Sequence, residues 1–224
     1  IVLGIIAFMF FIAYPTKKIW RLIAVIGVVI VVGWLGYYHF VIVPNHTMTL
    51  TNTVTEAASK SFRDDRILAW LYPDDYPADA YQQQNSIMAI GSGQLWGKGL
   101  NNTDATSVKN GNFIPEPQTD FIFAVAGEEL GFIGTVIIII LLLFITIECI
   151  LIARKAKDTA GKMICCGFAA LVGFQSLVNI GVASGVLPNT GLPLPFVSYG
   201  LTSLLSLYIG VGLVLNVGLQ PKKY

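Results

Sequence analysis

The chain has 224 residues, 54% of them apolar and only 12% charged, with a mean hydropathy of +0.69 and a formal net charge of +1. Soluble domains carry about 25% charged residues, so this composition describes an integral membrane protein. The near-neutral balance and the lack of a basic run exclude a nucleic-acid partner, which clustered cations would have to hold.

Five apolar segments follow one another, at about residues 1–14, 19–43, 119–153, 163–187 and 196–218. The first covers roughly 21 Å of a hydrocarbon core about 30 Å thick. It is too short to cross alone, so upstream sequence is expected and the chain reads as a C-terminal part of a longer protein. The short connections hold Lys17, Lys18 and Arg21, then Arg154, Lys155, Lys157 and Lys162, then Lys222 and Lys223. With alternating spans these basic residues share one side, which the positive-inside rule makes cytoplasmic. The C-terminus is then cytoplasmic, and the polar loop at 44–119, with eight acids against five bases, faces outward.

Within that loop, Ser61–Leu71 mixes charges with Ile67, Leu68, Trp70 and Leu71, as an interfacial amphipathic helix does. Tyr72-Pro73-Asp74-Asp75 ends it, and a second short helix is expected from Gln82 through Ile90. The next stretch, Gly91-Ser92-Gly93-Gln94-Leu95-Trp96-Gly97-Lys98-Gly99, has four glycines that let backbone approach a neighbour closely. It lacks the Walker spacing. Two readings stay open: a structural turn, or an anion contact with Lys98 and Lys109 as its cations.

The segment 119–153 would run about 52 Å as a single helix. A break near Glu128–Gly134 is therefore expected, with a re-entrant or interfacial piece at about 119–130 and a span at about 131–153. Asp120, Glu128 and Glu129 sit where this piece meets the loop, and such charges cost a few kcal/mol near hydrocarbon unless paired, hydrated or used. If 120–129 is helical, Glu128 lies about 80° round from Asp120 and Glu129 about 180°. Asp120 and Glu128 then share a side and Glu129 pairs elsewhere. Asp120 is equally readable as a helix cap.

The later spans, at about 163–187 and 196–218, are joined by Pro188-Asn189-Thr190-Gly191-Leu192-Pro193-Leu194-Pro195, which cannot continue a helix and suggests the roof of a cavity. Cys149, Cys165 and Cys166 lie in apolar runs without a ligand set and read as small buried hydrophobes. His39 and His46 are isolated, and no nucleophile elbow exists. What remains is carboxylate chemistry at a membrane–water boundary beside candidate phosphate-holding groups, a combination that fits glycosyl transfer from a lipid-linked pyrophosphate. A lipid flippase, suggested by the Pro-broken element, and a noncatalytic scaffold are the alternatives.

Several segments in order resemble one family. They are Arg66–Pro73, Tyr81–Gly99 with its AIGSGQLWGKG run, Glu116–Gly134 (EPQTDFIFAVAGEELGFIG), Val178-Asn179-Ile180-Gly181, and Leu187–Gly200 (LPNTGLPLPFVSYG). The set is similar to the SEDS proteins, among them RodA, FtsW and SpoVE. The resemblance implies an all-α, polytopic transmembrane bundle in the bacterial cytoplasmic (inner) membrane, with a large extracytoplasmic loop containing short interfacial helices. It further implies a peptidoglycan glycosyltransferase that polymerises lipid II on the outer face, on undecaprenyl-pyrophosphate-linked glycan, beside a class B penicillin-binding transpeptidase. Asp120 matches the family's catalytic acid. Lys98, Lys109, Glu116, Thr119 and Glu128 are the expected substrate-binding residues around it, with no metal-ligand cluster and, as cofactor, at most a divalent cation (Mg or Mn). Asn85, Gln94 and Leu201 depart from the residues common in the family.

Overall fold

The computed structural model describes Met9, residues 62–100, Ser107, Ile114 and residues 117–220. The expected spans at 1–14 and 19–43 lie outside the described residues, Met9 excepted. Among the described residues five helices follow: α1 (Phe62–Leu71), α2 (Pro77–Ser92), α3 (Ile122–Lys155), α4 (Thr159–Ala183) and α5 (Leu201–Leu219). The chain divides into two compact units, Tyr14–Ala80 and Ile1–Ala13 together with Tyr81–Tyr224.

In the first unit, α1 buries Leu68 and Ala69. It stops where the Tyr72 N–H donates to the Leu68 carbonyl at 2.7 Å and Pro73 follows, a residue that cannot extend the ladder. The second expected helix is longer than its apolar run suggested, because Pro77 occupies the first helical position, where its missing N–H costs nothing.

In the second unit, α3, α4 and α5 are each long and apolar enough to cross a membrane. The chain is a membrane protein. These helices meet on small side chains: Cys149 and Ala153 of α3, Cys165, Cys166 and Ala169 of α4, and Val214 and Val217 of α5 form one buried cluster. With little hydrophobic drive between helices in lipid, such close approach supplies the packing energy. All three cysteines are free thiols buried there.

α3 contains the expected break, at Gly131, with φ 67° and ψ −167°. That backbone region is essentially restricted to glycine. It leaves a short piece, Ile122–Leu130, and a helical run of roughly 36 Å from Phe132 to Lys155, enough for one crossing.

α4 ends at Ala183, short of the expected 187. Gly185 takes φ 77°, its N–H donates to the Val182 carbonyl, and the Val186 N–H reaches back to Gly181. This pair of bonds is a Schellman cap. The apolar residues beyond it, like Phe196 and Val197 before α5, belong to a partly buried loop rather than to the helices, so α5 begins at Leu201 instead of 196.

Candidate active site

The break in α3 removes two bonds of its ladder. In an unbroken helix the amides of Phe132 and Ile133 would donate to the carbonyls of Glu128 and Glu129. The glycine-rich loop after α2 takes both places. Lys98 and Gly99 donate their N–H groups to the Glu128 and Glu129 carbonyls at 2.9 and 3.0 Å, and Phe132 and Ile133 donate to Gln94 and Leu95 at 2.8 and 3.3 Å. Irregular backbone beside a membrane needs such internal satisfaction.

The glycines make the insertion sterically feasible. A Cβ on Gly93 would run into the Gly127 carbonyl, and one on Gly97 into the Glu129 carbonyl. Of the two readings left open for this loop, its backbone therefore serves the structural one. The Gly97, Lys98 and Gly99 amides are spent on protein carbonyls.

The Lys98 side chain points into the same joint. Its Nζ lies 2.8 Å from Glu128 Oε1, and the Glu128 side chain is 2% exposed. Ser107 Oγ donates to Glu128 Oε2 at 3.3 Å. Burial of the carboxylate is offset by this pairing. Glu128 takes one of the three donors on the ammonium, whose side chain stays 29% exposed.

Asp120 is placed differently from the helical-wheel expectation. Residues 117–121 form a turn and the helix begins at Ile122, with Phe121 in the capping position and no side-chain cap. Asp120 is thus neither the helix cap nor on the helical face of Glu128, and the angle drawn between the two acids does not apply. Tertiary contacts start the helix late: the turn is pinned by its carbonyls. Gln118 accepts from the Tyr199 N–H at 2.9 Å, Thr119 from Ser198 Oγ at 2.6 Å, and Asp120 from Asn179 Nδ2 at 2.7 Å. Three consecutive carbonyls are held by the proline-rich loop and α4.

That loop is itself fastened. Asn179 Nδ2 also donates to Leu192 at 2.6 Å, Gln175 Nε2 to Pro193 at 2.9 Å, and the Leu194 N–H to Ser198 Oγ at 2.7 Å. From α2, Gln83 Nε2 donates to the Val182 carbonyl at the end of α4 and to the Leu187 carbonyl beyond it, and Ser86 Oγ to Ala183, the last residue of α4. The proline-rich loop, expected as the roof of a cavity, supports the Asp120 turn by hydrogen bonds.

Of the expected site residues, Asp120 and Thr119 lie together in the pinned turn, half-buried, while Lys98 and Glu128 form a separate ion pair at the break. Lys109 and Glu116 lie outside the described residues. Among the described residues no three His, Cys, Asp or Glu side chains gather as a metal-ligand set. Sequence reasoning missed Asn179, Ser198 and Gln83. Asn179 had a usable signal, an amide in the middle of an apolar span, which is expensive unless it has work to do.

A family model described as "Cell cycle protein", covering FtsW, RodA and SpoVE, matches residues 1–223. The chain belongs to this family. Within the FtsW/RodA/SpoVE group it is 34% identical over 209 residues to the probable peptidoglycan glycosyltransferase FtsW of Escherichia coli, covering 92% of this chain and 45% of that one. It is 40% identical over 169 residues to the stage V sporulation protein E of Bacillus subtilis, covering 75% and 45%. A solved structure described as "Structural coordination of polymerization and crosslinking by a peptidoglycan synthase complex" superposes with a TM-score of 0.66 at 28% identity, over 97% of this chain and 53% of its own. The chain thus spans about half the length of the curated relatives it matches. The family read from the ordered motifs is borne out, as is the all-α membrane architecture, with no strand among the described residues.

Proposed function

We propose that the protein carrying this chain is a peptidoglycan glycosyltransferase that polymerises lipid II at the outer face of the bacterial cytoplasmic membrane, with Asp120 as its general base. The observation that carries the assignment of the base is the pinned turn: Gln118, Thr119 and Asp120 have their carbonyls fixed by Tyr199, Ser198 and Asn179, leaving the Asp120 carboxylate on a preorganised backbone. The names of the relatives, peptidoglycan glycosyltransferases at 34–40% identity, support the reaction class.

In this reading the Asp120 carboxylate takes the proton from the 4-hydroxyl of the acceptor sugar of lipid II. The freed oxygen attacks the anomeric carbon of the growing glycan. The bond from that carbon to the pyrophosphate oxygen breaks, and undecaprenyl pyrophosphate leaves with inversion. The exposed side of the Lys98 ammonium, with Lys109, balances the charge on the leaving group. Glu116 and Thr119 line the acceptor side, and Glu128 acts by holding Lys98. A divalent cation, Mg or Mn, would add charge neutralisation at the pyrophosphate. The loop at 44–119 faces outward and the C-terminus is cytoplasmic. A class B transpeptidase works beside the polymerase, consistent with the polymerization-and-crosslinking complex that the fold resembles.

The test is lipid II polymerisation by the full-length protein with its transpeptidase in liposomes. Asp120→Asn should slow glycan chain growth by about 10²–10⁴-fold, to a small residual rate, while the protein still extracts and pairs normally. Turnover like that of the unmodified protein overturns the assignment of the base, and lipid II translocation without polymerisation would favour the flippase reading.

A further inference from the structure

We propose that Asn179 and Ser198 are positioning residues for Asp120, acting through its backbone rather than on substrate. The inference rests on the reading of Asp120 as the base and adds the residues that aim it.

Asn179 sits in the transmembrane helix α4 and is 1% exposed. A buried amide there costs several kcal/mol unless its polar atoms are used. Its Nδ2 spends both hydrogens, one on the Asp120 carbonyl at 2.7 Å and one on the Leu192 carbonyl at 2.6 Å. Its Oδ1 accepts no hydrogen bond among the described residues. The side chain is therefore placed for its donors, and leaving the acceptor unsatisfied is the cost of that placement. Both recipients are backbone carbonyls of irregular segments, which no helix ladder would otherwise satisfy.

Ser198 makes the matching contact one residue earlier. It is also 1% exposed, donates to Thr119 at 2.6 Å and accepts the Leu194 N–H at 2.7 Å. To bring it there the chain passes through Phe196 at φ 63°, a left-handed conformation that is uncommon for a bulky residue. The ring of Phe196 is held edge-on to Tyr208 of α5, with centroids 6.2 Å apart. Strain of this kind persists only where the surroundings over-determine it. Here it serves to deliver one hydroxyl to the residue preceding Asp120.

A backbone pinned at two successive carbonyls fixes the direction in which the Asp120 side chain leaves the chain. A base displaced by about 1 Å loses on the order of 100-fold in rate. Neither Asn179 nor Ser198 needs to touch substrate for this, so substrate binding should be spared.

The experiment compares full-length variants, partnered and reconstituted, in steady-state polymerisation of lipid II. Ser198→Thr and Ser198→Val are nearly isosteric, but only the first retains the hydroxyl. Asn179→Asp keeps the size and cannot donate to both carbonyls. The expected result is a fall in kcat of about tenfold or more for Asn179→Asp and Ser198→Val with KM within about twofold, and partial recovery in Ser198→Thr. Combining Asn179→Asp with Asp120→Asn should lower the residual rate no further than Asp120→Asn alone. Equal rates for the Thr and Val variants, or an additive loss in the double variant, would overturn the proposal. If Asn179→Asp does not fold, the Ser198 pair decides alone. An inactive Asp120→Asn beside fully active Asn179 and Ser198 variants refutes only this inference, whereas a fully active Asp120→Asn refutes the reading beneath it.

Discussion

Lys98 Nζ and Glu128 Oε1 meet at 2.8 Å across the break in α3, joining a lysine on the glycine-rich loop to a carboxylate that is almost fully buried. The same two residues also share a backbone bond, Lys98 N–H to the Glu128 carbonyl at 2.9 Å. Side chain and main chain thus lock the loop to the helix at one point.

Breaking this pair from one side should cost more than removing it altogether. Lys98→Met leaves Glu128 charged and buried without its ammonium partner, and is expected to destabilise by about 3 kcal/mol. Lys98→Met combined with Glu128→Met should recover a good part of that loss. Thermal unfolding in detergent, followed for the two singles and the double, gives the coupling. A double variant no more stable than Lys98→Met would show that the pair is not the cause.

The glycines of the joint should differ sharply in tolerance. Gly131→Ala puts a side chain at φ 67° and into the backbone of Gly97, and a loss of about 3 kcal/mol or more is expected from conformational strain and clash together. Gly91 in α2 has open space at its Cβ. Gly91→Ala should be neutral or stabilise by up to about 1 kcal/mol. The difference in melting temperature between the two variants is the measurement, and similar values would argue against the close packing of loop on helix.

Gln94 occupies a left-handed position at φ 51° and contributes its carbonyl to Phe132. A glycine keeps that carbonyl and removes the Cβ penalty, so Gln94→Gly is expected to stabilise by about 0.5–1 kcal/mol after the entropy cost of glycine is deducted. A lower melting temperature would mean that the Gln94 side chain does more than the backbone requires.

Gln83 holds two carbonyls beyond the last turn of α4 and at its end, Val182 and Leu187. Gln83→Leu should fray that end, at a cost of about 1–3 kcal/mol for the lost Leu187 contact, because the Val182 carbonyl keeps the Gly185 N–H. Hydrogen exchange reads this locally: faster exchange is expected at the Gly185–Leu187 amides, with α3 near Cys149 unchanged.

Several features were legible in the residues because each has a local cause. Hydropathy and length separate α3, α4 and α5 from the loop. The excess length of the 119–153 segment requires a break, and a glycine at 131 supplies it. Tyr72-Pro73 ends α1 for a reason contained in the dipeptide. Helix ends were less legible. Val186, Leu187, Phe196 and Val197 are as apolar as any span, and their place in a partly buried loop depends on the cap at Gly185 and the contacts of Ser198.

By itself, then, the sequence determined a polytopic membrane protein of the FtsW/RodA/SpoVE family, the place of the helix break, and Asp120 as the acid to test. Only the tertiary structure decided what surrounds that acid. Asn179 and Asp120 are 59 residues apart, Ser198 and Thr119 79, and Lys98 and Glu128 30. A backbone carbonyl belongs to every residue alike, so nothing in the residue types at 118–120 announces that their carbonyls will be held. The donors become recognisable once folding brings α4 and the proline-rich loop against the turn, where burial makes each unmade hydrogen bond costly.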